Sequence, residues 1–277
     1  MTRSLAIFAL AAFFQQTPRP PAPVVRPPAA PTATVSAQPP ASAPITKGAL
    51  PPASGYTFPA RQTLTFTVDW RVFTAGQAVF HMETQGSQQR VTATADTVGA
   101  VNMLYPVIDR FQSSFDPKTG CSNGFSKQIQ EGRRKINSDL TFNYPALKQT
   151  QIEKNVVKGT SNTKQVAIPG CVTDSLSAIF YAASQRMVVG QEFTFPLADA
   201  VRTVNVTMKV EAREEVKTPS GTYMALRVQP TADAGVVKNR GNIWIWYTDD
   251  ARHMPVQIRA RLFWGTITFH LQSVDAR

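Results

Sequence analysis

The sequence predicts an all-β domain, an antiparallel β-sandwich or open β-barrel with one packed α-helix, preceded by a signal peptide and a disordered Pro-rich linker. Three observations predict this organisation. From residue 56 onward, apolar and polar side chains alternate with a period of two, and turn-forming clusters separate the alternating segments at near-regular spacing. Before residue 56, the chain has an apolar opening and then a proline-rich stretch. All-β domains often reach about 200–250 residues, so we assign residues 56–277 to a single domain.

The first 16 residues are predicted to be a secretory signal peptide. Arg3 supplies a positive start, and residues 5–14 form an uninterrupted apolar run. This run is too short to span a bilayer, which needs about 20 apolar residues. The following residues 15–18 lack a small-x-small cleavage motif, so the cleavage position stays open and a non-cleaved, weakly anchored N-terminus is the alternative. We expect export to the periplasm or cell surface, without a lipobox-type lipid anchor because no Cys follows the run.

Residues 17–55 are predicted to be a disordered linker. They carry 12 of the 21 prolines and no acidic residue. Such a composition cannot bury enough apolar surface to offset chain entropy, and its Pro-Pro pairs favour extended polyproline II. The alternative is that this segment is a ligand for a Pro-recognising protein partner.

The β segments follow in order after the linker. The first strand has Leu64, Phe66, Val68 and Trp70 on one face, and Thr63, Thr65, Thr67 and Asp69 on the other. A second alternation follows Gly76, which suits a short hairpin loop. Further strands are predicted within residues 91–97, 111–115, 136–142, 204–210, 224–228, 243–247, 256–262 and 267–271.

One segment is predicted to be an amphipathic helix. Leu176, Ile179, Phe180 and Ala183 fall at positions i, i+3, i+4 and i+7, and Thr173 or Asp174 can serve as the N-cap. A shorter turn or helix is predicted over residues 98–105, where Pro106 stops it. We expect the longer helix to pack its apolar stripe against a sheet.

The sequence indicates no metal site, no cofactor and no catalytic motif. The histidines are His81, His253 and His270, and no two of them have a metal-ligand spacing. There is no G-x-S-x-G motif and no Gly-rich phosphate loop. We therefore favour a non-enzymatic protein. The alternative enzyme is an envelope hydrolase that uses Asp109, Asp249 or Asp250.

Cys121 and Cys171 are the only cysteines, and they lie 50 positions apart. In an oxidising compartment such a pair favours a disulfide, which would contribute about 4 kcal/mol by the chain-entropy model. The alternative is two separate, unpaired thiols.

The candidate ligand-binding residues are Trp70, Tyr105, Arg133, Arg134, Trp244, Trp246 and Trp264. Trp244 and Trp246 share one face of a strand whose other face is also apolar, so this strand is either covered on both sides or lines a cavity. Large aromatic side chains that simply fill a β core are the alternative to an apolar or sugar-stacking pocket.

The chain is basic. It has 29 Lys and Arg against 18 Asp and Glu, a net charge of +11. Arg133 and Arg134 belong to a basic run, for which the plain explanation is a solvated edge. An exported protein does not meet nucleic acid, so anionic lipids or glycans of the envelope are the candidate partners. We expect no transmembrane helix.

Five strings resemble an exported bacterial family, domain of unknown function DUF3108. They are LYPVIDRFQSSFD from Leu104, QEGRRK from Gln130, TDSLSAIFY from Thr173, VKTPSGTYMALRVQP from Val216 and IWYTDDARHMPVQIRARL from Ile245. The resemblance covers about residues 58–274. It implies an envelope-facing β-rich domain, similar in kind to capsule-accessory lipoprotein domains, and it transfers no catalytic residue.

Together, these features predict an exported, non-enzymatic binding or scaffolding protein of the bacterial cell envelope, with an amphiphilic lipid or glycan as ligand. A purely structural partner-binding domain is the second hypothesis.

Overall fold

The computed structural model describes residues 48–199, 202–232, 242–262 and 265–276, in which 14 strands form one antiparallel sheet. The strands are β1 (Arg61–Trp70), β2 (Phe73–Gln85), β3 (Gln88–Thr97), β4 (Ile108–Phe115), β5 (Ser122–Glu131), β6 (Arg134–Asn143), β7 (Lys148–Asn155), β8 (Thr160–Ala167), β9 (Glu192–Asp199), β10 (Arg202–Thr218), β11 (Gly221–Ala232), β12 (Asn242–Thr248), β13 (Pro255–Leu262) and β14 (Gly265–Ala276). The predicted signal peptide, and the predicted linker up to residue 47, lie outside the described residues.

The sheet is a meander in which the first strand pairs with the last. Each strand pairs with its neighbours in sequence, except that β8 and β9 do not pair with each other, and β1 also pairs with β14. Only β8 and β9 are edge strands, so the sheet is open at this one place and is not closed into a barrel. The predicted all-β antiparallel class is confirmed, and the architecture is one continuous open sheet.

Alternation along most strands separates the inner face of the sheet from its outer face. On β1, Leu64 and Phe66 are fully buried, whereas the neighbouring Thr63 and Thr65 are half-buried. The same alternation places Val256, Ile258 and Ala260 of β13 in the core. Buried residues of both halves of the sheet belong to a single hydrophobic core.

Two helices interrupt the meander, as predicted. Helix α1 (Gly99–Leu104) joins β3 to β4, and helix α2 (Ser177–Ala183) lies in the segment between the two edge strands. All seven residues of α2 are buried, and the hydroxyl of Tyr247 on β12 donates to the carbonyl of Ile179 at 2.9 Å. Helix α2 is therefore surrounded by the core rather than laid on a surface. Neither helix is of a length and hydropathy that would let it traverse a bilayer, in the part of the chain that the structure describes.

The segment that leads into α2 attaches both halves of the sheet to the helix. Thr173 pairs with β9, since its amide donates to Pro196 O at 3.0 Å and its carbonyl accepts from Ala198 N at 2.8 Å. The amide of Ser122, at the start of β5, donates to Val172 O at 2.8 Å. The segment thus bridges from β9 to the first half of the sheet, on the side where the sheet is open.

Asp174, one of the two predicted caps, holds the turn that leads into α2, while the residue directly before the helix is Leu176. Oδ1 of Asp174 accepts from the amides of Leu176 and Ser177, both at 2.9 Å, and its carbonyl accepts from Ala178 N. Cys121 and Cys171 form the predicted disulfide, which joins the β4–β5 turn to the same segment. Within the stretch assigned to the linker, the amide of Ala49 donates to Cys171 O at 2.9 Å. Residues 48–53 therefore lie against the α2 segment.

Candidate functional site

Trp244 and Trp246 lie on the outer face of β12. The inner face of this strand carries Tyr247, which reaches α2, and side chains alternate along a strand. The Nε1 of Trp244 donates to Glu211 at 3.2 Å, and the Nε1 of Trp246 donates to Glu214 at 2.6 Å. On this outer face Trp246 is buried, whereas Trp244 is partly exposed.

Trp70 is in a different place. It ends β1, on the strand face that also carries Leu64 and Phe66, and it packs partly buried against the core. The guanidinium carbon of Arg71 lies 5.6 Å from the centre of its ring. Trp264 lies outside the described residues. The described tryptophans therefore occupy both faces of the sheet and do not form one group.

Tyr105, Arg133 and Arg134 are brought together at one end of the sheet. The amide of Gly132, in the β5–β6 turn, donates to Pro106 O at 2.9 Å. Gly132 has a φ of +54°, and a Cβ there would lie 3.1 Å from Cε2 of Tyr105. Only glycine fits this close approach without a shift of the tyrosine ring. The turn that carries the two arginines is thereby held against Tyr105.

Three buried charged residues lie beside this turn, and we call them the buried polar cluster: Asp109 on β4, and Lys127 and Glu131 on β5. Arg134 partly covers the cluster, since its Nη1 lies 3.0 Å from Oε2 of Glu131. Oδ1 of Asp109 accepts from the amide of Gln130 at 2.9 Å. Its Oδ2 is buried and has no hydrogen-bond partner within the described parts of the chain.

Burial shifts the pKa values of two members of the cluster in the direction that favours the uncharged form of each side chain. Burial, and then the nearby charge of Glu131, raise the pKa of Asp109 to about 8. Burial lowers the pKa of Lys127 to about 8, although the charges of Glu153 on β7 and Asp199 on β9 favour its charged form. Groups with such shifts are concentrated at functional sites, because an uncompensated buried charge is costly in a purely structural role.

The sequence analysis did not identify the buried polar cluster. Asp109 was predicted only as a residue of the hydrolase alternative, and the basic run that contains Arg133 and Arg134 was interpreted as a solvated edge. The overlooked signal is the spacing: Phe125, Lys127, Ile129 and Glu131 fall on alternate positions, and their side chains share the inner face of β5.

The three aspartates of the hydrolase alternative do not converge. Asp249 and Asp250 lie in the β12–β13 turn, where they form ion pairs with Arg213 and Arg252. That turn is at the opposite end of the meander from Asp109, near the start of β4. No group of three or more His, Cys, Asp or Glu side chains in the described ranges could hold a metal ion.

Comparison with known proteins places the chain in a family. A family model described as protein of unknown function (DUF3108) matches residues 65–272. The chain belongs to the DUF3108 family. The match begins within β1 and ends within β14, so the DUF3108 region includes part of β1 and of β14, all the strands between them, α2 and the buried polar cluster. No curated protein matches the chain significantly.

Solved structures resemble this DUF3108 protein to different degrees, all at low sequence identity. A beta-barrel-like protein of domain of unknown function DUF1849 from Brucella abortus has a TM-score of 0.55 and 9% identity, and the alignment covers 80% of this chain and 100% of that one. An exported protein with a YmcC-like fold from Bacteroides fragilis has a TM-score of 0.35 and 8% identity, covering 79% and 99%. A lipoprotein from Parabacteroides distasonis has a TM-score of 0.34 and 12% identity, covering 79% and 98%. Only the first similarity is high enough to support the fold.

The raised pKa of Asp109 predicts a specific pH dependence of stability. The folded protein keeps the proton of Asp109 up to about pH 8, whereas the unfolded chain loses it near pH 4. The folded state therefore binds more protons between these values, and this group destabilises it increasingly as pH rises from about 4 to 8. In Asp109→Asn this contribution disappears, so the variant should gain stability relative to wild type across that window, by at most about 6 kcal/mol.

Urea denaturation of both proteins between pH 4 and pH 8 measures this difference. Asp139→Asn, at an exposed position of β6, controls for the loss of one carboxylate. If the stability of wild type and of Asp109→Asn changed with pH in the same way, the raised pKa of Asp109 would be contradicted.

Proposed function

We propose that this protein is exported and acts in the cell envelope as a non-enzymatic binding or scaffolding module for an amphiphilic lipid or glycan ligand. The buried polar cluster is the observation that carries this proposal. It lies on the inner face of an open sheet that is otherwise strongly apolar. Replacing buried charges by apolar residues is often neutral or stabilising, so a cluster of this kind is better explained by a ligand than by stability.

The chemistry of the cluster suits a headgroup that has both anionic and hydroxyl groups. Lys127 and Arg134 offer positive charge, and Asp109 presents a carboxyl oxygen that lacks a protein partner among the described residues. At neutral pH the raised pKa keeps most of Asp109 protonated, so its carboxyl group can both donate and accept. The surrounding apolar side chains of the inner face suit the hydrocarbon part of an amphiphile.

Export is supported by the N-terminal sequence and by the disulfide. Residues 1–16 have the order of a positive start and an apolar run that signal peptides share. Disulfides such as Cys121–Cys171 persist in oxidising compartments and are rare in the cytosol.

Native mass spectrometry tests the proposal. Wild-type protein, purified without detergent from the cell envelope, should carry a lipid or glycan adduct. Lys127→Met keeps the aliphatic volume of the side chain and removes its charge, so we expect its adduct occupancy to fall about tenfold. Lys148→Met, at an exposed position at the start of β7, is the matched control and should keep the adduct. Thermal denaturation verifies that both variants fold.

Two outcomes would contradict the proposal. Wild-type protein without any adduct would favour the purely structural partner-binding domain. If Lys127→Met retained the adduct as well as wild type does, the buried polar cluster would not be the site that binds the ligand.

A further inference from the structure

Four alternate turns of the meander lie side by side at one end of the sheet. They follow β1, β3, β5 and β7, and the one after β3 contains α1. Backbone hydrogen bonds of 2.9–3.0 Å connect each turn to the next one along this end of the sheet. The amide donors and carbonyl acceptors are Val98 and Ala75, Gly132 and Pro106, and Val156 and Lys135. The four turns therefore form one continuous edge of the molecule.

Five large hydrophobic side chains project from these turns, and we call them the apolar rim: Val72, Phe73, Met103, Leu104 and Val157. They are 63–86% exposed, and no other large hydrophobic side chain in the described ranges exceeds 60%. Helix α1, which carries two of them, has no buried residue. Large apolar side chains exposed together along one edge typically mark a surface that contacts another molecule.

Unpaired positive charge accompanies the apolar rim. Arg133, Lys135 and Lys158 lie exposed in the same turns or directly beside them, and none forms an ion pair within the described parts of the chain. Two carboxylates at this end of the sheet already form ion pairs: Asp96 with Arg110 at 2.7 Å, and Glu131 with Arg134 at 3.0 Å. The partner of this surface should therefore carry negative charge.

We propose that the apolar rim, with Arg133, Lys135 and Lys158, docks on the surface of an anionic phospholipid bilayer. The apolar side chains enter the boundary between headgroups and acyl chains, and the three cations contact lipid phosphates. The apolar residues stand on separate turns, which a fluid headgroup layer accommodates without a matching groove. This docking does not require a ligand on the inner face, so it is independent of the function proposed above.

Vesicle co-sedimentation tests the docking. The probes are vesicles of phosphatidylethanolamine and phosphatidylglycerol at about 3:1, and vesicles of phosphatidylcholine alone. We expect wild-type protein to bind the anionic vesicles more tightly, and added salt to weaken that binding. Met103→Ser/Leu104→Ser should reduce binding about tenfold or more, and Arg133→Glu/Lys158→Glu should abolish the preference for anionic lipid. All variants share the same N-terminus, so its contribution cancels.

Two control pairs repeat the same chemistry at the other end of the sheet. Val188→Ser/Val189→Ser removes exposed apolar side chains, and Lys118→Glu/Lys148→Glu reverses two exposed charges. We expect both pairs to bind within about twofold of wild type. The proposal is overturned if wild-type protein stays in solution with anionic vesicles, if phosphatidylcholine vesicles bind it equally well, or if the control pairs lose as much binding as the rim variants.

Discussion

Asp174→Ala is expected to lower the free energy of unfolding by about 3–5 kcal/mol, because the substitution leaves several buried donors without an acceptor. Five donors converge on this fully buried carboxylate at 2.6–2.9 Å: the hydroxyls of Ser113, Ser122 and Ser177, and the amides of Leu176 and Ser177. Burial raises the pKa of Asp174, and the hydrogen bonds from the three serines oppose that rise. The carboxyl group connects β4 and β5 to the start of α2.

Urea denaturation followed by tryptophan fluorescence measures this loss. Asp116→Ala is the matched control, since Asp116 lies partly exposed in the β4–β5 turn and accepts one amide hydrogen bond, from Lys118 at 2.8 Å. We expect the control to lose about 1 kcal/mol or less. A similar loss in the two variants would mean that the carboxylate of Asp174 has no special role in holding α2.

Removal of the disulfide is expected to lower the free energy of unfolding by a similar amount. In Cys121→Ser/Cys171→Ser the unfolded chain regains the entropy of a closed loop of 50 residues, which corresponds to about 4 kcal/mol in the chain-entropy model. The bond also fastens the β4–β5 turn to the segment that carries Asp174. The loss should therefore be accompanied by easier local opening around α2.

Denaturation of the wild-type protein with and without a reducing agent provides the internal control. Reduced wild type and the double serine variant should have the same midpoint, and a reducing agent should not affect the variant. A double variant as stable as the oxidised wild type would show that the native contacts of Cys171 hold the segment without the bond.

The sequence predicted the strands whose two faces differ most. Apolar and polar side chains alternate strictly over residues 64–70, and β1 ends where that alternation ends, at Trp70. Strand β8 was missed because all its side chains are exposed or half-exposed, so it has no apolar face to detect. Strand β5 was missed because Lys127 and Glu131 interrupt its apolar face with charge.

The strand order could not be predicted from local pattern. Whether the strands form two facing sheets or one continuous sheet depends on pairings between distant residues, which alternation does not encode. The buried polar cluster was hidden for a related reason. Its members come from β4 and β5, and a charged residue in a hydrophilic stretch is normally exposed, so only the fold reveals that these are buried.

The pairing of the first strand with the last has a consequence for biosynthesis. Leu64 lies opposite Val274, so a ribosome releases β1 long before its second partner exists. Until β14 is complete, β1 and β13 each keep one unpaired backbone edge in the middle of the future sheet, and such edges recruit other chains. A premature stop near the C-terminus therefore removes the strand that two others require, so even a short truncation should favour aggregation over a slightly smaller soluble product.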